Sequence, residues 1–150
     1  MIDLPPPVAI LETALYAPDL DAAETFYGTL LGLPKVTRAG NRHVFFRLPG
    51  AMLLVFNPAE TVRSPAPDAL PVPPHGALGA GHIAFAATGA EIDGWRARLQ
   101  AAGVAIEADF RWPGKNGAPG ARSLYVRDPA GNSVEFAEPR LWGFDAAQDP

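Results

Sequence analysis

The sequence predicts an α+β fold made of two βαβββ units. Three observations carry that expectation. Two apolar strands, each bearing one metal-ligand side chain, open two halves of similar layout: Ile10-Leu11-Glu12-Thr13-Ala14-Leu15-Tyr16 and Gly81-His82-Ile83-Ala84-Phe85-Ala86. Each is followed by a helical stretch closing at a glycine, Gly32 or Gly103, and then by three strand-like segments. Between the halves, residues 58–79 contain Pro58, Pro65, Pro67, Pro71, Pro73 and Pro74 and show no apolar periodicity. Such a stretch is an extended, semi-rigid linker. An internal repeat of this size sets the architecture before any single residue does.

The elements follow in order. Pro5-Pro6-Pro7 is an extended lead-in, because proline fixes φ and cannot donate to a ladder. Val8–Tyr16 reads as the first strand, with Val8, Ile10, Glu12, Ala14 and Tyr16 on one face by the period of two. Asp21 with Glu24 resembles a capping box, Phe26, Leu30 and Leu33 follow at helical spacing, and Gly32 suits the C-cap. Lys35–Arg38, Arg42–Leu48 and Met52–Asn57 are the next strands, with Pro49-Gly50 as a turn. In the second half, Ile92, Trp95 and Leu99 form one face of a helix over 91–102. Val104–Phe110, Arg122–Arg127 and Asn132–Phe136 are strands. The last two are joined by the turn Asp128-Pro129-Ala130-Gly131. The Gly/Pro-rich loop 113–120 is expected to be mobile and to cover a pocket. The tail after Pro139 carries Leu141-Trp142-Gly143-Phe144 and then polar residues expected to fray. The expected organisation is one domain over 1–150: first unit 8–57, linker 58–79, second unit 80–137, tail 138–150. Glu12 falls opposite His82 in the repeat, and Arg47 and Pro49 fall opposite Arg127 and Pro129.

Composition excludes several classes. With 150 residues, 48% hydrophobic and 19% charged, the chain is globular and long enough for a core. Its net charge of −4 and lack of a basic run argue against a nucleic-acid partner. Zero cysteines exclude disulfides, thiolate metal sites and Cys nucleophiles. No apolar run approaches a membrane span, and Met1-Ile2-Asp3-Leu4 lacks signal-peptide character, so no membrane partner and a cytoplasmic location are expected.

Specific phrases then identify a family resemblance. These are Leu15-Tyr16-Ala17-Pro18-Asp19-Leu20 leading to Phe26-Tyr27-Gly28-Thr29-Leu30-Leu31-Gly32-Leu33, then Gly81-His82-Ile83-Ala84-Phe85, then Arg127-Asp128-Pro129-Ala130-Gly131-Asn132-Ser133-Val134-Glu135. In this order and spacing, over residues 8–137, the chain resembles the vicinal oxygen chelate superfamily: glyoxalase I, fosfomycin-resistance and bleomycin-resistance proteins, and extradiol dioxygenases. The resemblance implies that the two βαβββ units form a cupped mixed sheet. It also implies a homodimer, with or without exchange of units, and a small-molecule substrate. One fold hosting many reactions leaves the chemistry to the site.

The resemblance implies a divalent metal (Mn, Fe, Ni, Co or Zn) held by Glu12, His82 and Glu135. Its fourth ligand position falls near Leu53 or Val55, which cannot bind metal, and Glu12 stands where the three-ligand families usually have His. Carboxylate and imidazole are ordinary ligands for these metals. Glu12 also shares a strand face with apolar residues, where an unpaired carboxylate is costly. By resemblance the face of His43, Phe45 and Arg47 points into the cup. His43 is a candidate acid or base, since its ordinary pKa is near 6.5, or simply a pocket-lining histidine. Arg47 or Arg122 is a candidate to hold a substrate carboxylate or phosphate, and Glu135 doubles as a catalytic group. Phe45, Leu53, Val55, Trp112 and Tyr125 are expected to shape the pocket. His75, in the linker, reads as solvated. The implied function is a glyoxalase-like, metal-dependent lyase or isomerase acting on a molecule with vicinal oxygens. The alternatives are an extradiol-type dioxygenase and a metal-free drug-binding resistance protein.

Overall fold

The computed structural model describes residues 4–144. The fraying expected at the polar C-terminal end falls at 145–150, outside the described residues. The first unit comprises β1 (Glu12–Tyr16), α1 (Leu20–Glu24), β2 (Lys35–Ala39), β3 (His43–Leu48) and β4 (Ala51–Phe56). A short helix α2 (Pro58–Thr61) opens the linker. The second unit comprises β5 (His82–Ala86), α3 (Gly89–Ala101), β6 (Ala108–Arg111), β7 (Arg122–Arg127) and β8 (Ser133–Ala137). Two four-stranded sheets result, ordered β1-β4-β3-β2 and β5-β8-β7-β6. In each, the first strand runs parallel to the last and the remaining pairs are antiparallel. The predicted order of strand, helix and three strands is therefore present twice.

Local details differ from the sequence reading for physical reasons. Residues 8–11 belong to no strand and are exposed, because β4 reaches only as far as Met52 opposite Glu12. The N-cap of α1 is Asp19, whose carboxylate accepts from Ala22 N at 3.0 Å, so the expected box from Asp21 is not the cap. The reciprocal box lies instead at the other helix, between Thr88 and Glu91. After Glu24 the helix widens into a π-helical stretch, Thr25–Leu30, with Leu31 N bonded to Phe26 O at 2.9 Å. This stretch brings Phe26 and Tyr27 into the core together. Gly32 at φ 76° ends it as predicted.

Both sheets bury one face under the helices. Leu15, Val44, Phe46, Leu53 and Val55 of the first sheet and Leu124, Val126, Val134 and Phe136 of the second join one core with Leu20, Phe26, Tyr27, Ile92 and Leu99. A polar joint links the units beside that core. Asn132 accepts from Gly81 N at 2.7 Å through Oδ1, and its Nδ2 donates to Tyr16 O at 3.1 Å and to Asp128 Oδ2 at 2.9 Å. A Cβ at Gly81 would sit 3.1 Å from Leu15 and 3.2 Å from Asn132 Oδ1, which explains the glycine there. Among the described residues no helix is long and apolar enough to cross a membrane.

Candidate functional site

Strand parity decides what each sheet offers on the face turned away from the helices. In the second sheet the register places His82 beside Ser133, Ala84 beside Glu135, and Tyr125 opposite Glu135. These side chains therefore share the open face, while Val134 and Phe136 alternate into the core. Glu135 is 5% exposed. Its Oε2 lies 3.3 Å from His82 Nε2, and its Oε1 is buried with no hydrogen-bond partner. His82 Nδ1 is 3.2 Å from Ser133 O. A carbonyl only accepts, so Nδ1 carries the proton of that bond, and Nε2 is the ring nitrogen turned toward Glu135. A buried carboxylate oxygen lacking a donor costs free energy on its own. Together with the imidazole Nε2, it forms an oxygen and nitrogen donor set of the types that bind a divalent cation.

Around this pair lies a cavity of about 400 Å³, lined among others by Ala84, Ala86, Trp112, Tyr125, Leu141, Trp142 and Phe144. The small side chains of Ala84 and Ala86 leave its volume open. The Tyr125 ring stacks on Phe110 (centroids 5.8 Å, 6° between planes) and lies 6.2 Å from His82 at 20°. Burial first, and the nearby Glu135 carboxylate second, push the Tyr125 hydroxyl above its ordinary pKa. Trp112 donates Nε1–H to Ser123 Oγ at 2.9 Å, which fixes its ring.

The first sheet offers a different face. Glu12 is exposed on edge strand β1, sharing its side with Ala14 and Tyr16. By register Arg47 lies opposite Met52, Phe45 opposite Leu54 and His43 opposite Phe56, all on that same side. His43 stacks on Phe45 at 4.1 Å and meets Phe56 edge-on at 5.9 Å. Burial lowers the His43 pKa, with the Arg42 charge adding to it, and its Nδ1 is buried without a partner. Arg47 is exposed and makes no side-chain ion pair among the described residues.

Two expectations about the pocket need correction. Leu53 and Val55 do not face it. Both are 0% exposed and packed on the helix side with Val44 and Phe46. The strand runs Ala51–Phe56, so the open face belongs to Met52, Leu54 and Phe56. The counterpart of Glu135 in the first unit is thus Leu54, since Ala14–Leu54 repeats the Ala84–Glu135 register. Arg122 is no free substrate clamp. Its guanidinium is held by Asp109 at 2.8 and 2.9 Å and by Asp93 at 2.6 Å, which push its pKa up.

Within one chain the structure brings His82, Glu135, Tyr125 and Trp112 together. Glu12, His43, Phe45 and Arg47 stand on the other sheet. Among the described residues no three His, Asp or Glu side chains of one chain are grouped to hold a metal. The sequence reading missed His75, whose Nδ1 is 2.7 Å from Tyr16 Oη and whose ring packs on Phe56. It also gave Trp142 and Phe144 no part in the pocket, although the apolar group Leu141-Trp142-Gly143-Phe144 directly after the last strand was the available signal.

Comparison with known proteins agrees with this geometry. The model of the Glyoxalase/Bleomycin resistance protein/Dioxygenase superfamily matches residues 9–136. An uncharacterized protein of Pseudomonas aeruginosa is 32% identical over 131 residues, which is 83% of this chain and 84% of that protein. The crystal structure of a lactoylglutathione lyase from Agrobacterium tumefaciens superposes with a TM-score of 0.85 at 49% identity, over 93% of this chain and all of that one (100%). A glyoxalase/bleomycin resistance protein/dioxygenase from Nocardioides shares the fold at a TM-score of 0.68 and 24% identity, over 99% of this chain and 93% of that one.

Proposed function

The chain belongs to the Glyoxalase/Bleomycin resistance protein/Dioxygenase superfamily, and on that premise we propose that it is a metal-dependent enzyme acting on a small molecule with vicinal oxygens, by lyase or isomerase chemistry. One observation carries the reading: the buried, partnerless Glu135 oxygen on a carboxylate whose other oxygen meets Nε2 of His82. The 49% identity to a lactoylglutathione lyase supports the reaction class.

In this reading His82 and Glu135 of one copy and Glu12 of a second copy hold the metal, in a homodimer. The support for a second copy is the apolar lead-in to β1, with Val8 96%, Ile10 77% and Leu11 76% exposed. Contiguous apolar exposure of this kind marks a protein interface. In this reading a second copy covers it, with the Glu12 face of one chain set toward the His82 face of the other. Leu54 leaves the first unit with a single ligand, so the site keeps open positions for a chelating pair of oxygens.

Bound there, a divalent metal supplies a Lewis acid that polarises the substrate oxygens. The protein's own groups do the rest. Ser133 O fixes the His82 tautomer. Glu135 accepts or returns a proton at the carboxylate oxygen that the metal would leave free. Arg47 holds an anionic oxygen of the substrate, and His43, whose depressed pKa favours its neutral form, is the proton acceptor on the same face. Trp112 and Tyr125 flank the reacting end with aromatic surface.

Elemental analysis of protein purified without chelator, wild type beside Glu135→Ala, tests the proposal. About one transition metal per chain, lost in the variant, supports it. No metal in either protein, even after loading with Mn, Fe, Ni, Co or Zn, overturns it and leaves a metal-free binding protein.

A further inference from the structure

We infer that the cavity over His82 and Glu135 is a clamp for a flat, ring-bearing ligand with at most one anionic group, closed by the C-terminal segment and latched by Arg140. The inference rests on the proposed metal site only for where the ligand's oxygens point.

The walls argue for a ring. Trp112, Tyr125, Trp142 and Phe144 line the cavity, and Phe110 extends the Tyr125 stack. Trp142 and Phe144 are 78% and 61% exposed, so large apolar rings stand open at a cavity mouth when nothing fills it. Flat faces of this kind reward a flat partner, through offset stacking in addition to area burial. A volume of about 400 Å³ takes one small fused ring system.

The charge around the cavity argues against a polyanion. Among the described residues no Lys or Arg lines it. The arginines that flank it in sequence are paired: Arg111 and Arg140 with Glu138, and Arg122 with Asp109 and Asp93. Lys115 belongs to a neighbouring cleft formed by the 113–120 loop. A glutathione adduct brings two carboxylates at separate ends of a flexible chain, and no lining Lys or Arg pairs with either.

The closing wall is a built feature. A 3-10 turn, Pro139–Trp142, carries the rings away from β8. Arg140 donates to Pro119 O at 2.9 Å and to Gly120 O at 2.8 Å, which ties this turn to the loop after Trp112. Glu138 accepts from Arg122 N at 2.7 Å and anchors the base of the same turn. Trp112 and Trp142 are thus held on two segments that Arg140 joins. Arg140 is a positioning residue here, acting on the ligand through Trp142.

The test is ligand binding by the full chain, with 2-naphthol as the flat probe and S-lactoylglutathione as the charged, flexible one, read by calorimetry. Expected are measurable 2-naphthol binding, at least about tenfold weaker S-lactoylglutathione binding, and a loss of about tenfold in 2-naphthol affinity for Trp112→Ala and for Trp142→Ala. Trp142→Phe keeps a ring and restores most of the affinity, which separates stacking from misfolding. Arg140→Ala weakens 2-naphthol binding while the melting temperature stays near that of the wild type. Equal affinity for the two probes, or alanine variants that bind 2-naphthol like the wild type, overturns the inference. Metal analysis of the wild type separates it from the metal reading: ring-dependent 2-naphthol binding in a chain that takes up no metal leaves this inference standing and overturns the proposed function.

Discussion

Tyr27 donates its hydroxyl hydrogen to Asp128 Oδ2 at 2.8 Å across 101 residues of sequence, from the helical arm of the first unit to the last turn of the second. Tyr27 is 0% exposed and Asp128 5%. Burial first, and the Asp128 charge second, push the phenol pKa far up, so it is a hydrogen-bond donor at any working pH. The same carboxylate accepts from Ala130 N, Asn132 N and Asn132 Nδ2. The Asp-Pro-x-Gly-Asn turn is therefore a joint between units, and its polar residues serve structure.

Tyr27→Phe removes one donor from a buried carboxylate and changes little else. A hydrogen bond to a charged group is worth about 1.5–3 kcal/mol. The expected result is a fall in Tm of roughly 3 to 10 °C, with metal content unchanged. A melt indistinguishable from wild type contradicts the role given to this contact.

The proposed metal site predicts a linkage between metal and stability. A ligand that binds only the folded state raises its stability by mass action, about 2.7 kcal/mol at one hundred times Kd. Chelator should lower the Tm of the wild type, and metal should restore it. Glu135→Gln should melt at the same temperature with and without metal. A chelator-insensitive wild type would falsify the linkage.

His43 predicts a pH effect of defined sign. Its pKa in the fold is depressed by burial, so below the ordinary His range the unfolded chain takes up a proton that the folded chain refuses. Stability contributed by neutral His43 is present at pH 7 and is lost as pH falls through about 6.5 and below. Denaturant midpoints of wild type and His43→Phe, which keeps the stack on Phe45, should diverge between about pH 7 and 5, with the variant the less pH-sensitive. Parallel curves count against it.

Leu54 gives a parity test. Leu54→Glu adds a carboxylate at the register counterpart of Glu135. In the metal-loaded dimer it should tighten binding by about tenfold or more, while destabilising the metal-free protein. Leu53→Glu, one residue away but inside the core, should fail to fold, because it buries a charge among Val44, Phe46 and Val55. If both variants behave alike in circular dichroism and metal binding, the assigned faces are wrong.

Much of this was legible in the sequence, and the remainder has definite causes. The repeat and its turns give the strand order, because Gly32, Gly50 and Gly131 at positive φ and the apolar strands are local signals. Face assignment on β4 was not legible. Met52, Leu53, Leu54, Val55 and Phe56 are all apolar, so no alternation marks which side is core, and only the register with Glu12 and His43 reveals it. Arg122 looked free because its partners Asp93 and Asp109 lie on other elements. His75 looked solvated because its contact with Tyr16 spans 59 residues of an aperiodic linker. The π-helical stretch after Glu24 has a helical pattern too short to tell 3.6 from a wider period.

The most direct measurement is the metal content of a purified mixed dimer, made by co-expressing Glu12→Ala and Glu135→Ala chains carrying two different non-histidine affinity tags. A site that draws Glu12 from one copy and His82 with Glu135 from the other leaves each variant homodimer empty. The doubly tagged heterodimer has one intact site of two and should hold about half the wild-type metal. A heterodimer as empty as the variants, or a Glu12→Ala homodimer with its full complement, contradicts the shared site.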